Sequence, residues 1–266
     1  MTEPKLHKQE VSMRKTIKIR NMELGAGRPK VCVPITAIEE EEILREARLA
    51  VEAKADLVEW RADFFAEADD MEKTVRLGSR LRDVMGSRPI LFTYRTEGSG
   101  HSMELEKYIE LNQRMADAGD VDLLDIELFM GDEVCQKFCE YAHERNKTVI
   151  ISNHDFDKTP NDQEIVERMC KMRKLGADVP KVAVMPRNAE DVLTLLSATN
   201  QYANAHADGP LITMSMGWLG QLSRISGEIF GSALTFGSTT RTSAPGQLDI
   251  ADLKYVLDVL HRPENV

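Results

Sequence analysis

The chain has 266 residues, 42% of them hydrophobic, and a formal net charge of -10 at pH 7. A chain of this length can bury a large core, so its fold needs no disulfide or metal ion for stability. The acidic surface argues against nucleic acid or an anionic membrane as the main partner. An anionic small molecule would require arginines that concentrate positive charge at its binding site.

The four cysteines lie at positions 32, 135, 139 and 170, without a CxxC pair or a Cys/His zinc pattern. Cys135 and Cys139 share a helical stretch and would suit one edge of a metal site, but ordinary helix cysteines are the favoured interpretation. We therefore expect no metal site. Unpaired cysteines also fit a reducing, cytoplasmic location.

The first dozen residues are polar and charged and lack the apolar core of a signal peptide. No run in the sequence approaches the roughly 18 apolar residues of a membrane helix. We expect residues 1–12 to form a flexible extension and residues 13–266 to form one domain, because no linker or change of composition interrupts them.

Short apolar runs rich in β-branched residues alternate with amphipathic helical stretches along the rest of the chain. The predicted strands are Val31–Ile35, Leu57–Trp60, Pro89–Tyr94, Asp122–Leu128, Thr148–Asn153, Val179–Met185, Leu211–Met216 and Ser232–Phe236. The clearest predicted helices are Glu39–Ala53, Met103–Ala118, Asn188–Thr199 and Ile250–Leu260. Eight alternating units predict an α/β fold that closes into a (β/α)8 TIM barrel.

Two features precede the first unit. Lys15–Lys30 is predicted to form a short N-terminal hairpin at the bottom of the barrel. It contains Gly25-Ala26-Gly27, but Arg28 and Pro29 and then a strand follow, so this is not the glycine-rich turn of a dinucleotide-binding fold.

Catalytic residues of such barrels lie at the carboxyl ends of the strands. Polar residues at the predicted strand ends are Glu59, Arg61, Arg95, Glu97, Asp125, Glu127, Asn153, His154 and Asp155. Lys181 lies in an apolar strand, where a lysine is costly unless it is paired or neutral. A neutral amine is a nucleophile for carbonyl groups. The alternative is a lysine near the start of its strand whose ammonium reaches solvent or a carboxylate.

His154 is the natural general acid/base, although a lone histidine at a strand end is often structural. Glu97 or Asp155 would orient its ring, and Asp155 would equally suit the first residue of a turn.

Arg61, Arg95 and Arg224 would bind a carboxylate and hydroxyl groups, or else form ordinary salt bridges. One such bridge would join Glu59 to Arg61. Met214 and Met216 alternate and would line a pocket or pack in the core. Ser243–Gln247 would form a lid or a plain connection.

Six segments occur in a characteristic order, each at a predicted strand end. They are Glu59–Asp63, Phe92–Thr96, Ser152–Phe156, Pro180–Ala183, Met214–Gly217 and Ser243–Gln247. On these segments, from about Met13 to His261, the chain resembles the type I 3-dehydroquinate dehydratases, lysine-dependent enzymes of the shikimate pathway. The resemblance implies a (β/α)8 barrel, usually a homodimer, that acts on 3-dehydroquinate without a metal or cofactor.

The resemblance also implies roles for individual residues. Lys181 matches the Schiff-base lysine, His154 the general acid/base and Glu97 the glutamate that orients it. The matching substrate-binding residues are Glu59, Arg61, Arg95, Arg224, Ser243, Gln247, Met214, Met216 and Phe236. The stretch between Arg95 and Glu97 is shorter than in the family pattern, which leaves Asp155 as the alternative partner of His154.

Three other functions fit parts of this pattern. Another Schiff-base barrel, such as a class I aldolase or transaldolase, would share the lysine. A metal-dependent isomerase would use Glu59, Glu127 and His154. In a non-catalytic carboxylate-binding module, Lys181 would only pair with the ligand. None of the three explains the ordered set of six segments.

Overall fold

The computed structural model describes residues 15–96, 103–206, 208–240 and 242–261, so the predicted extension over residues 1–12 lies outside the described residues. A hairpin comes first, with strands β1 Ile17–Ile19 and β2 Met22–Leu24. The barrel strands are β3 Lys30–Ile35, β4 Leu57–Arg61, β5 Ile90–Thr93, β6 Leu123–Glu127, β7 Thr148–Asp155, β8 Val179–Val184, β9 Ile212–Ser215 and β10 Leu234–Ser238. A short strand, β11 Leu248–Asp249, pairs with β10.

Helices follow the strands as the alternation predicts. They are α1 Glu40–Glu52, α2 Met71–Met85, α3 Leu105–Ala118, α4 Asp132–His143, α5 Asp162–Lys174, α6 Ala189–Ala205, α7 Gln221–Ile225, α8 Gly227–Phe230 and α9 Ile250–Leu260. Side chains cap several of them: Asn188 accepts a hydrogen bond from the amide of Asp191 at the start of α6. The predicted helix over Asn188–Thr199 is thus correct in its start and too short at its end.

The barrel strands are parallel and pair in the order β10-β3-β4-β5-β6-β7-β8-β9. A parallel bridge between Leu211 and Ser232 joins the two ends of this sheet, and the amide of Ala233 donates to the carbonyl of Leu211 at 2.8 Å. The side-chain oxygen of Ser232 accepts a further bond from the amide of Thr213, at 3.0 Å. The predicted barrel and its eight strands are confirmed.

Inside the barrel, an apolar double layer fills the amino-terminal part. It consists of Cys32, Leu57, Leu91, Leu123, Ile150, Val179, Ile212 and Leu234, one residue from each barrel strand. Ile19, Met22 and Leu24 of the hairpin pack against this double layer, and Leu24 is fully buried. The hairpin therefore covers the amino-terminal end of the barrel, which places any solvent-accessible site at the other end.

A second apolar core lies between the strands and the helices. Trp60 and Phe92, on neighbouring strands, meet edge to face there with ring centroids 5.5 Å apart. Cys135 and Cys139 of α4 are also buried in this core, and burial raises the pKa of their thiols to about 11 and about 12. They pack as ordinary helix cysteines. Among the described residues, no three His, Cys, Asp or Glu side chains are grouped so that they could hold a metal ion.

None of the helices in the described ranges is both long enough and apolar enough to cross a membrane.

The packing of the hairpin against the barrel predicts that the hairpin contributes to the free energy of unfolding. Replacing the fully buried Leu24 with alanine removes apolar contacts at the barrel floor and should lower the free energy of unfolding by about 2–5 kcal/mol in urea denaturation. Ile17→Ala is the control, because Ile17 is only partly buried against the same layer and should cost less. Equal, small effects from both variants would show that the hairpin contributes little to barrel stability.

Candidate active site

A cavity of about 240 Å³ opens at the carboxyl-terminal end of the barrel. It is lined by Glu59, Arg61, Phe64, Arg95, His154, Phe156, Lys181, Ala183, Met214, Met216, Arg224, Phe236, Ser243, Ala244 and Gln247. Its small volume suits a single-ring compound better than a dinucleotide or a polymer. Every site residue predicted from the sequence lines it except Glu97, which lies outside the described residues.

Lys181 enters the barrel from β8, where strand alternation directs it inward together with Val179 and Ala183. Its side chain is 4% exposed, so the amine does not reach bulk solvent. The Nζ atom lies 3.2 Å from Oε1 of Glu59 and 3.3 Å from Oδ2 of Asp125. The same atom is 4.9 Å from the centre of the Phe236 ring. The amine is therefore held at the cavity by two carboxylates and an aromatic face.

Arg95 is the second buried cation of the site. Its Nη1 lies 2.9 Å from Oδ1 of Asp125 and 3.0 Å from Oε1 of Glu127. It also donates to Oγ of Ser152, at 2.8 Å. Burial opposes the charge on this guanidinium, but Asp125 and Glu127 outweigh it and raise the pKa of Arg95 well above its ordinary value. Arg95 therefore stays protonated.

Asp125 and Glu127 stand two apart on β6, and both are almost completely buried. The sequence identified this pair of carboxylates but not the cations with which they form ion pairs. Burial alone would raise the pKa of Asp125, but Arg95 and Lys181 hold it below its ordinary value. Glu127 accepts hydrogen bonds from the amide and the hydroxyl of Thr96, at 3.0 and 2.8 Å. Glu127 thus fixes the chain directly after β5.

His154 lies near the end of β7 and lines the cavity, with its ring stacked on Phe156 at 5.8 Å between centroids. Its Nδ1 is buried and has no hydrogen-bond partner within the part of the chain that the structure describes. Burial and the nearby charges of Arg95 and Lys181 lower the pKa of His154 well below 6.5, against the opposing effect of Asp125. The imidazole is therefore neutral at physiological pH and can accept a proton.

Asp155 does not orient this histidine. Its Oδ1 accepts hydrogen bonds from the amides of Asp157 and Lys158, at 3.2 and 3.0 Å. This pattern is an Asx turn at the end of the strand, as the alternative interpretation predicted. Strand alternation also places Asp155 and His154 on opposite faces of β7, so the carboxylate points away from the ring.

Arg61 is held rigidly at the rim. Its guanidinium makes two parallel hydrogen bonds to Asp63, of 2.8 and 2.7 Å, and lies 4.9 Å from the centre of the Phe64 ring. The predicted alternative of a bridge between Glu59 and Arg61 is wrong, because Glu59 bonds Lys181 and Thr93 instead. The two-residue spacing of Glu59 and Arg61 places both side chains on one face of β4, but it does not determine which residues they bond.

Arg224 differs from the other arginines of the cavity. It is 2% exposed, and its Nη2 donates to the carbonyl of Pro245 at 3.1 Å. No carboxylate in the described ranges lies within ion-pair distance of it. Burial lowers the pKa of Arg224 to about 10, so the side chain still carries its charge at neutral pH. A buried cation without a counterion is a ready site for a ligand carboxylate.

The loop over residues 243–247 closes one side of the cavity. Ser243 and Gln247 bond each other twice: the amide of Ser243 donates to Oε1 of Gln247, and Nε2 of Gln247 donates to Oγ of Ser243. Gly246 has a φ of +81°, and a Cβ there would lie 2.1 Å from the carbonyl oxygen of Gly217. Glycine is therefore required where the loop meets the chain after β9.

Apolar side chains complete the cavity. Met214, Met216 and Phe236 were predicted, whereas Phe64 and Phe156 were not assigned a role. Both phenylalanines follow an aspartate just after a strand end, in Arg61-Ala62-Asp63-Phe64 and His154-Asp155-Phe156. Each stacks on the functional side chain that precedes it. This repeated pattern is the signal by which they could have been found.

Comparison with known proteins gives consistent matches. A family model described as type I 3-dehydroquinase matches residues 31–264. The chain is 46% identical over 255 residues to a 3-dehydroquinate dehydratase of Clostridioides difficile, covering 95% of this chain and 100% of that relative. It is 45% identical over 250 residues to a 3-dehydroquinate dehydratase of Salmonella typhimurium, covering 93% and 99%.

Solved structures match equally well. A crystal structure of type I 3-dehydroquinate dehydratase from Clostridium difficile with covalent modified comenic acid has a TM-score of 0.90 at 46% identity, covering 94% of this chain and 99% of that one. The 3-dehydroquinate dehydratase of Geobacillus kaustophilus has a TM-score of 0.89 at 39% identity, covering 92% and 96%.

The electrostatics of the site predict how His154 titrates. Because burial, Arg95 and Lys181 all disfavour the imidazolium, its protonation midpoint should lie below 6.5 in the free protein. NMR titration of histidine-labelled protein measures this midpoint, and the signal that disappears in His154→Ala assigns it. A midpoint at or above 6.5 would contradict the buried, positively charged surroundings described here.

Proposed function

Because the chain belongs to the type I 3-dehydroquinase family, we propose that it dehydrates 3-dehydroquinate to 3-dehydroshikimate through a Schiff base on Lys181, with His154 as the general acid/base. One observation carries the mechanism. The buried amine of Lys181, a neutral His154 and a cationic Arg224, which has no counterion among the described residues, line one small cavity. This set supplies a nucleophile, a base and an anchor for a carboxylate.

The substrate is a cyclic hydroxy-ketone that carries a carboxylate. Its carboxylate would bind Arg224, beside the loop that carries Ser243 and Gln247. Placing the anion there compensates a buried charge that has no counterion among the described residues. Glu59, Arg61 and Arg95 offer acceptors and donors to the ring hydroxyls, and Met214, Met216 and Phe236 cover the apolar parts of the ring. This orientation directs the ketone toward Lys181.

Schiff-base formation begins when the ammonium of Lys181 passes one proton to the neutral imidazole of His154. The freed amine adds to the ketone carbon C3 to give a carbinolamine, and the imidazolium returns the proton to the carbinolamine hydroxyl, which leaves as water and gives an iminium ion. Glu59 and Asp125, at 3.2 and 3.3 Å from Nζ, stabilise the positive charge of the ammonium and later of the iminium. The iminium withdraws electrons more strongly than the ketone did and so acidifies the hydrogen on C2.

His154 carries the proton transfers that follow. Its neutral ring removes the C2 proton to give an enamine, and the resulting imidazolium protonates the C1 hydroxyl as it leaves as water. Hydrolysis of the new iminium releases the product and regenerates Lys181. A well-placed general acid/base contributes roughly 10²–10⁴-fold to a rate. The lowered pKa of His154 favours the deprotonated form that the first step requires.

The competing functions are less well supported. A metal-dependent isomerase would need Glu59 and Glu127 as ligands, but Glu59 bonds Lys181 and Thr93, and Glu127 bonds Arg95. A class I aldolase would use the same lysine, and a carboxylate-binding module would use it without covalent chemistry. Homodimer formation and the role of Glu97 stay predictions from the resemblance, and a cytoplasmic location stays a prediction from the cysteine pattern.

The Schiff base is tested by reductive trapping. Incubation with 3-dehydroquinate and borohydride should add the mass of the reduced ligand to one peptide, the peptide that contains Lys181. Lys181→Met should give no adduct. Lys147→Met is the matched control, because Lys147 is half-buried but donates to the carbonyl of Val121, away from the cavity, and this variant should trap normally.

An adduct on another residue, or none at all, would rule out the proposed chemistry. Turnover of 3-dehydroquinate, followed as absorbance of the conjugated enone product, separates dehydration from an aldolase reaction that also traps with borohydride. Ligand binding without any adduct would instead indicate a non-catalytic module.

Arg224 is tested by removing its charge. Arg224→Met keeps most of the side-chain volume but leaves the substrate carboxylate without a partner, which should raise KM roughly 10²–10³-fold. Thermal stability should not fall, because the variant removes a buried cation for which the described residues offer no counterion. Arg114→Met, at an exposed i,i+4 ion pair on α3, is the control and should leave KM unchanged. An unchanged KM in Arg224→Met would place the carboxylate elsewhere.

A further inference from the structure

Among the described residues, Asp125 is the one carboxylate that forms ion pairs with both Lys181 and Arg95. Its Oδ2 lies 3.3 Å from Nζ of Lys181, and its Oδ1 lies 2.9 Å from Nη1 of Arg95. Glu59 contacts the lysine and Glu127 contacts the arginine, but in the described part of the chain neither has an ion pair to both. The two oxygens of Asp125 therefore link the amine of Lys181, on β8, to the guanidinium of Arg95, which follows β5.

The geometry of Asp125 is fixed by its surroundings. Its side chain is 1% exposed, and Oδ1 also accepts a hydrogen bond of 2.6 Å from the hydroxyl of Ser152. That hydroxyl in turn accepts from Nη1 of Arg95 at 2.8 Å, so the arginine, the serine and the aspartate form a closed triangle of bonds. A carboxylate held at both oxygens cannot rotate without breaking at least one charged contact.

Asp125 does not line the cavity, whereas Lys181, Arg95 and Glu59 do. It therefore has no direct access to a bound substrate and can act on the reaction only through the groups it holds. Its charge also matters, because it is the group that opposes the lowering of the pKa of His154 by Arg95 and Lys181. Its position outside the cavity and its effect on the pKa of His154 both indicate that Asp125 acts on the reaction indirectly, through the residues it contacts.

We propose that Asp125 is a positioning residue that holds the amine of Lys181 and the guanidinium of Arg95 at a fixed separation beneath the substrate. The proposal rests on the function proposed above. If the ketone lies at Lys181 while Arg95 holds a ring hydroxyl, then the distance between the two cations decides whether the ketone carbon meets Nζ. Misplacement by about 1 Å is enough to slow such a step about 10²-fold.

The test is Asp125→Asn, which keeps the shape of the side chain but loses the charge. One amide oxygen can still accept from Arg95 and Ser152, but the amide nitrogen then faces Nζ of Lys181 and cannot accept from it. We expect the single-turnover rate of borohydride-trapped adduct formation to fall about 100-fold. The dissociation constant of quinate, which has the carboxylate and hydroxyls but no ketone, should change far less because Arg224 is untouched.

Two further readouts separate positioning from a general structural defect. Loss of the carboxylate should move the NMR midpoint of His154 to still lower pH, since Asp125 is the group that raises it. Asp122→Asn is the matched control. It also removes a carboxylate that pairs with two arginines, Arg20 and Arg82, but at the other end of the barrel. This variant should lose stability and trap at the wild-type rate.

The outcomes distinguish this proposal from the function on which it rests. Absence of an adduct in the wild-type protein would refute the Schiff base itself. A wild-type adduct together with normal trapping by folded Asp125→Asn would overturn only the role of Asp125. Should that variant not fold, Ser152→Ala removes the hydroxyl that braces the aspartate and the arginine; trapping slowed about 10-fold supports the proposal, and an unchanged rate overturns it.

Discussion

The structure depends on the compensation of a lysine buried inside a closed barrel. Removing an amine from water is costly unless opposite charges and hydrogen bonds surround it. Glu59 from β4 and Asp125 from β6 supply those charges to Lys181 of β8. Arg95 pairs with Asp125 and Glu127, so two cations and three carboxylates form one buried charged network. No single strand could build this network; it exists because the sheet curls until strands distant in the sequence face one another.

The amino-terminal part of the barrel shields this charged network from solvent. Apolar side chains, one from each barrel strand, lie beneath the network, and the hairpin covers them. The cavity at the carboxyl-terminal end reaches Glu59, Arg95 and Lys181 of this network. In such surroundings the charges interact strongly, which explains why the pKa of Asp125 is lowered and that of Arg95 is raised despite their burial. The apolar side chains beneath the charged network therefore strengthen its ion pairs.

The cavity is electrically asymmetric, and this asymmetry orients a ligand. Lys181 and Arg95 are paired with carboxylates, whereas Arg224 at the cavity wall has no counterion among the described residues. An anionic group gains most at Arg224, and a carbonyl group is then left for the lysine. The carbonyl of Pro245, in the loop over residues 243–247, accepts a hydrogen bond from Arg224, and Gly246 of the same loop packs against Gly217. Arg224 is therefore in direct contact with the loop that closes one side of the cavity. Binding and enclosure of a carboxylate thus involve the same few contacts.

By itself, the sequence determined the eight strands, the barrel, and which side chains point inward, because hydrophobic periodicity and alternation are local properties. The six segments at strand ends also indicated the family, and through it most of the side chains that line the cavity, although not Phe64 and Phe156. Only the tertiary structure decided the partners. Glu59 meets Lys181 across the barrel rather than Arg61 beside it, Asp155 serves a turn, and Asp125 joins two cations. Those pairings depend on strand stagger and closure, which bring together residues 122 positions apart and which no local pattern encodes.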